Sequence, residues 1–230
     1  MKEQLSAIIK EFQTQGDLVD IQPHGSGHIN DTYAVRFDKN GKTHRCILRR
    51  INHEVFKQPE KMMENIERVT NHLRSKLQHQ DVKDIDRKVM TIIQTRAGRN
   101  FYLTDDGNFW TMFLFIEEAR TYDVLVNIGQ AYEASKMFGT FQNLLADLGG
   151  AALHETIPDF HNGPKRYADF EKALAEDAVQ RAERCKEQIE YLKQQAYIFD
   201  ILPELVRKGK IPTRITHNDT KINNIMFDTK

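Results

Sequence analysis

The apolar residues of this 230-residue chain change their spacing about half-way along, and that change limits the folds open to it. Up to about residue 116 they come in short runs rich in β-branched and aromatic residues, broken by Gly, Asn and Asp; from Gln130 onward they recur every three or four residues. Residues 18–23, 32–37 and 44–51 predict strands, the last two joined by Asn40-Gly41, a dipeptide suited to a tight hairpin. Within 44–51, Ile47, Arg49 and Ile51 share one face while Cys46, Leu48 and Arg50 share the other. Pro59 opens a helix in which Met62, Met63, Ile66, Val69 and Leu73 keep a 3.6 period, with Glu60 and Glu64 among them. Residues 89–95, 101–104 and 109–116 predict further strands, so the first half reads as an antiparallel sheet interrupted by one helix, preceded by an amphipathic helix carrying Leu5, Ile8, Ile9 and Phe12. In the second half Ala134, Met137, Phe138, Phe141, Leu144, Leu145 and Leu148 trace a helical stripe ended by Gly149-Gly150. Residues 165–205 predict more helix, in more than one piece, with Pro203 and Pro212 punctuating its end. Between the halves, FLFIEEA (113–119) reads as a buried strand running into acidic residues, a hinge.

Charge narrows the partners. Lys plus Arg and Asp plus Glu number 33 each, so no global basic field recruits nucleic acid or an anionic membrane, and a charged substrate must be met locally. Cys46 and Cys185 fit neither a CxxC redox pair nor a zinc knuckle, which points to a reducing, cytoplasmic setting. The amino terminus lacks the uninterrupted apolar core of a signal peptide, and no apolar run approaches the roughly 20 residues of a membrane-spanning helix.

The densest cluster of polar side chains is THNDTKINN (216–224), flanked by apolar residues at 211–215 and 225–227. His217, Asp219, Lys221 and Asn224 reproduce the spacing H-x-D-x-K-x-x-N of a kinase catalytic loop. The spacing has a chemical reason: an aspartate must accept the proton of an attacking hydroxyl, an asparagine carbonyl close by must hold Mg²⁺ against phosphates, and a lysine between them can neutralise charge on the transferred group. The plain alternative is a polar loop between two strands. Gly25-Ser26-Gly27, with Asn30 where a third glycine would complete G-x-G-x-x-G, lies between the first two strands, where a loop can fold over phosphates; a simple hairpin turn is its rival. A cation for the α/β-phosphates and a helical carboxylate to hold it are expected in Arg49 and Glu64, with Arg50 and Glu60 as alternates.

The ordered set GSGHIND, ILRRIN, the helix after Pro59, FLFIEEA and THNDTKINNIMFD resembles the aminoglycoside phosphotransferase and choline kinase-like family over essentially the whole chain. That resemblance implies an α+β, bilobal protein kinase-like fold: an N-lobe of antiparallel sheet plus helix over residues 1–118, and a mainly helical, incomplete C-lobe over 119–230. Within the family, HNDTKINN, FGTFQNLLADL and HETIPDFHNGPKRY look most like N-acetylhexosamine 1-kinases. The likeness makes Asp219 the catalytic base, Asn224 a Mg²⁺ ligand and His217 a brace for the loop. It gives Phe115 to Glu118, with Glu117, to the adenine of ATP, and Asp159, His161 and Arg166 to the sugar. Family members carry a second acidic metal motif and further helices after the catalytic loop, so the chain is expected to be cut short and inactive alone. The acceptor could instead be choline, homoserine, methylthioribose or an aminoglycoside. A nucleotide-binding protein without chemistry is the rival from another class; nucleic-acid binding is a poor third, because no basic stripe with interleaved aromatics is present. Oligomeric state is not legible.

Overall fold

The computed structural model describes residues 2–25 and 29–229. Contacts divide the chain into two compact units, residues 1–157 with 219–230 and residues 158–218. The lobe boundary expected at 118/119 falls inside the first unit.

In the first unit, helix α1 (Lys2–Lys10) precedes β1 (Asp17–Pro23), β2 (Asp31–Lys39) and β3 (Lys42–Ile51). Helix α2 (Pro59–His79), the short helix α3 (Ile85–Lys88), β4 (Ile92–Ile93), β5 (Tyr102–Leu103) and β6 (Phe109–Leu114) follow. The sheet is antiparallel throughout, in the order β1-β2-β3-β6-β4, with β5 also on β6. The hairpin expected at Asn40-Gly41 is present: Lys39 pairs with Lys42, and both turn residues have positive φ, 54° and 76°, as a primed two-residue turn requires. Gly16, at φ +80°, turns the chain from α1 into β1 where a Cβ would stand 2.2 Å from the Asp38 carbonyl oxygen, so only glycine fits.

Both faces of this sheet are covered. On one, Leu5, Ile8, Ile9 and Phe12 of α1 pack with Ile21, Val35, Phe37, Cys46, Leu48, Trp110 and Met112. On the other, Met63 of α2 packs with Ile51 and Phe113, joined by the half-buried Ile47, Met62 and Ile66. This explains why β6 is almost continuously buried instead of alternating. The polar side of α2 holds the segment after α4 (Ile128–Leu144): Arg68 donates to the Gly149 and Ala151 carbonyls, Asn65 exchanges two hydrogen bonds with the His154 main chain, and Lys76 reaches the Leu144 carbonyl that ends α4.

A small second sheet pairs β7 (Ala119–Arg120) with β8 (Phe227–Asp228), which follows the 3₁₀ turn at Ile222–Asn224 after two residues. The second unit holds α5 (Gly163–Glu176), a 3₁₀ turn (Ala182–Cys185), α6 (Lys186–Gln194) and α7 (Ile198–Arg207), with Tyr167 packed against Phe199 at 5.3 Å between ring centroids. No helix is long and apolar enough to cross a membrane among the described residues.

Three local expectations are corrected. Only Ile92–Ile93 of residues 89–95 pair as a strand; the Val89 carbonyl, which a neighbouring strand could have used, accepts from Arg74 of α2 instead. Pro203 lies inside α7, not at its end. Met137 is 53 % exposed, so the inward stripe of α4 runs through Ala134, Phe138 and Phe141.

Candidate active site

The 3₁₀ turn at Ile222–Asn224 folds the 216–224 loop back on its own aspartate. The Asn224 side-chain amide donates to the Asp219 carbonyl and to Asp219 Oδ2, both at 2.8 Å, and Lys221 Nζ lies 3.3 Å from the same Oδ2. Lys221 and Asn224 are thus both brought to the Asp219 carboxylate. Ile225, buried just after the turn, anchors the loop, while Asn223 donates to Asp123 at 3.3 Å. Asn218, directly before Asp219, adopts the left-handed conformation at φ 62° that asparagine tolerates. His217 is exposed.

The loop is tied to the hinge by side chains that do not stand out in the sequence. Phe227 and Asp228 pair with Arg120 and Ala119, Phe227 meets Tyr122 edge-on at 5.3 Å, and the Glu118 carbonyl accepts from the Thr229 N–H at 2.9 Å and its hydroxyl at 2.8 Å. Glu118 itself sits at φ 53°. Within the hinge, the Phe115 N–H donates to the Arg45 carbonyl at 3.1 Å, whereas the Ile116 N–H and carbonyl make no hydrogen bond among the described residues. Those two groups form the kind of donor and acceptor edge that a purine can pair with. The Glu117 side chain is committed elsewhere: Arg45 grips its carboxylate through two nitrogens, one at 2.9 Å, and stacks its guanidinium 3.7 Å from the Phe115 ring centroid. His24 meets the same ring edge-on at 5.4 Å, so Phe115 is enclosed by two side chains that sequence reasoning missed. Burial, then the Arg45 and Arg49 charges, push the His24 pKa below its ordinary value.

Arg49 lies on the α2 face of β3, as expected, but the expected ion pair with Glu64 does not form. Glu64 is exposed and pairs with His154 at 2.7 Å, drawn away by the segment that α2 holds. Arg49 has no carboxylate partner among the described residues. Its Nε is buried and makes no hydrogen bond among them, its guanidinium carbon lies 5.9 Å from the Phe113 ring centroid, and burial lowers its pKa. A guanidinium stays charged even so, which leaves a half-buried cation that a phosphate would satisfy. Arg50 on the opposite face is already engaged, donating to Asp31 at 2.6 Å and Asn108 at 3.2 Å. Glu60 is exposed in the first turn of α2.

Of the glycine loop, Ser26 and Gly27 lie outside the described residues. Gly25 has φ +82°, and Asn30 uses its Oδ1 to accept the Asn52 N–H at 2.8 Å, which fixes the end of the loop to the chain leaving β3. Asp159, His161 and Arg166 belong to the second unit. There His161 Nε2 bonds the Asn218 carbonyl, Arg166 donates to the Phe160 carbonyl at 3.1 Å, and Asp159 Oδ1 accepts from Asn162 at 2.8 Å.

The donors fit the expected groups. Asn224 Oδ1 makes no hydrogen bond among the described residues, and with the Asp219 carboxylate it offers the hard oxygens that Mg²⁺ prefers. No group of three or more His, Cys, Asp or Glu side chains gathers to hold an ion among the described residues. An α+β fold whose N-terminal part is a kinase-like antiparallel sheet, carrying a closed Asp-Lys-Asn loop, is the architecture of a phosphoryl-transfer enzyme. A family model described as the APH phosphotransferase enzyme family matches residues 20–230, and the chain belongs to that family.

Proposed function

We propose that this phosphotransferase is an ATP- and Mg²⁺-dependent small-molecule kinase whose acceptor is a sugar hydroxyl, the anomeric hydroxyl of an N-acetylhexosamine. The observation that carries the reading is the closure of Asn224 and Lys221 on the Asp219 carboxylate, at 2.8 Å and 3.3 Å. In the reaction the acceptor oxygen bonds to the γ-phosphorus, the bond from that phosphorus to the β-bridging oxygen breaks, and ADP leaves with the electron pair. Asp219 takes the proton of the acceptor hydroxyl, and Lys221 offsets charge on the transferred group. Asn224 orients the Asp219 carboxylate through its amide, and its Oδ1 would be one of the oxygens that hold the metal. Mg²⁺, when bound, neutralises and aligns the phosphate oxygens. Arg49 would offer its unpartnered Nε to a phosphate, Gly25, Ser26 and Gly27 would cover the phosphates, and the Ile116 main chain would meet adenine. Asp159, His161 and Arg166 supply the mixture of acceptors and donors that a neutral sugar needs. A cytoplasmic setting is part of the reading, because both cysteines are free and burial pushes the Cys46 thiol up to about 12.

A non-catalytic nucleotide-binding role is favoured by one observation, the missing carboxylate partner of Arg49. ADP release by the full-length gene product, with ATP, Mg²⁺ and a panel of N-acetylhexosamines, plain hexoses, choline, homoserine and an aminoglycoside, separates the readings. Turnover confined to N-acetylhexosamines, with an acid-labile sugar 1-phosphate as product, is the expected result. Turnover on another acceptor class would overturn the sugar assignment, and binding of ATP without turnover on any would favour the non-catalytic role.

A further inference from the structure

Neighbouring residues of α3, Asp86 and Arg87, make two different sets of contacts. The Asp86 carboxylate accepts from Arg74 of α2 at 2.9 Å and from the Thr91 hydroxyl at 2.8 Å. Arg87 reaches the hinge and the strand beyond the catalytic loop together: Nη1 donates to the Glu117 carbonyl, and Nη2 to the Glu118 carbonyl at 3.3 Å and to Asp228 Oδ1 at 2.8 Å. Its side chain is only 24 % exposed. One guanidinium therefore holds two successive hinge carbonyls and β8, and Asp86 bolts the same short helix to α2. A lysine could not copy this: its single ammonium lacks the planar fork that serves separated acceptors at once.

The contact matters because β8 leaves the catalytic loop directly. Asn224 precedes it by only the buried Ile225 and the exposed Met226, and the hinge carries the Ile116 groups that are unpaired among the described residues. We propose that Arg87 is a positioning residue for phosphoryl transfer, locking the hinge main chain to β8 so that Asp219 and Asn224 stand at a fixed distance from a nucleotide held at the hinge. The proposal rests on the kinase reading above. It assigns Arg87 no contact with substrate or metal; it acts through main-chain placement.

Two measurements on the full-length gene product test it, with Arg87→Ala, Arg87→Lys and Asp228→Asn beside the wild type. The first is amide hydrogen exchange, which reads the clamp independently of activity. In Arg87→Ala, exchange should rise about tenfold in residues 117–120 and 225–229, the factor carried by loss of a charge-assisted bond, with the α1–β3 core unchanged. The second is kinetic: the Mg²⁺ concentration giving half-maximal rate should rise about tenfold with the acceptor KM unchanged, as when a partner behind a metal ligand is removed. Arg87→Lys should recover part of both. A merely stabilising residue would lower the melting temperature without moving the Mg²⁺ requirement. Unchanged exchange in the two segments would overturn the clamp, and faster exchange with an unaltered Mg²⁺ requirement and kcat would overturn its positioning role. Should Arg87→Ala speed exchange everywhere, Asp228→Asn decides the matter, since it removes the charge from one bond only, leaves the two hinge carbonyls in place and should loosen 225–229 alone. A wild type that transfers phosphate to no acceptor would sink the kinase reading and the positioning role with it, while exchange would still decide whether the clamp exists.

Discussion

Asn224 holds Asp219 twice, donating one side-chain amide to the aspartate's carbonyl and to its Oδ2, each at 2.8 Å. The two bonds fix the carboxylate's direction and leave Asn224 Oδ1 for a cation. Asn224→Ala removes both functions, so kcat should fall by about 10- to 100-fold and the half-saturating Mg²⁺ concentration should rise. Asn224→Asp restores a hard oxygen but cannot donate the two bonds, so the Mg²⁺ requirement should recover more than kcat does. Steady-state rates across a Mg²⁺ titration check both.

Arg49 and Arg50 are adjacent on β3 and point to opposite faces of the sheet. Arg49 has a buried, unpartnered Nε, while Arg50 is occupied by Asp31 and Asn108. Loss of a charge-assisted phosphate contact, worth about 1.5–3 kcal/mol, should weaken ATP binding by about 10- to 100-fold in Arg49→Ala. Arg50→Ala should stay within about twofold of wild type, because its partners are exposed surface groups. Calorimetric titration with ATP measures both, and the reverse order would mean that the other face of β3 meets the phosphates.

His24 contributes a pH dependence whose sign is set by its lowered pKa, caused first by burial and then by the Arg45 and Arg49 charges. A folded-state pKa depressed below the unfolded value of about 6.5 means that the neutral form stabilises the fold above that pH. The contribution is lost as pH falls from about 6.5 through the folded pKa, where the unfolded chain takes up the proton first. Melting temperatures followed from pH 7.5 to 5 should therefore fall more steeply in wild type than in His24→Gln. Parallel curves would remove His24 as a contributor.

The α1 face of the sheet gives the plainest test of the fold. Phe12 is fully buried among Leu5, Ile8, Ile9 and the strand residues, so Phe12→Ala should destabilise the first unit by about 3–5 kcal/mol. Gly16→Ala should cost more than about 1 kcal/mol, since its Cβ would overlap the Asp38 carbonyl at a left-handed φ. Urea denaturation followed by the fluorescence of Trp110, which lies in that core, reports both.

What the sequence disclosed and what it hid divide by distance along the chain. The Asn40-Gly41 turn, the two faces of β3 and the helix opened by Pro59 are each set by residues within a few positions of one another, and all three are in the structure. The Asp219 to Asn224 closure is also local, so its spacing was legible. Glu64 shows where that ends: its position on α2 was readable, but its partner, His154, is ninety residues away and is brought by a segment no pattern marks. The short helix carrying Asp86 and Arg87 is too brief to show a period, and Arg87 earns its role only because the hinge and β8 converge on it. His24 likewise looked like part of a turn until Phe115 came beside it. The full strand expected at 89–95 failed for a related reason: Arg74, from α2, takes the Val89 carbonyl that a neighbouring strand could have used.

The most direct test of the proposed chemistry compares Asp219→Asn with wild type in the full-length gene product, measuring single-turnover phosphoryl transfer to an N-acetylhexosamine and, on the same samples, ATP affinity. The amide is nearly isosteric with the carboxylate and can still meet Asn224, but it cannot accept the acceptor's proton. Transfer slowed by at least about 100-fold with ATP affinity unchanged is the result that Asp219 as catalytic base predicts. Transfer at a rate comparable to wild type would contradict it.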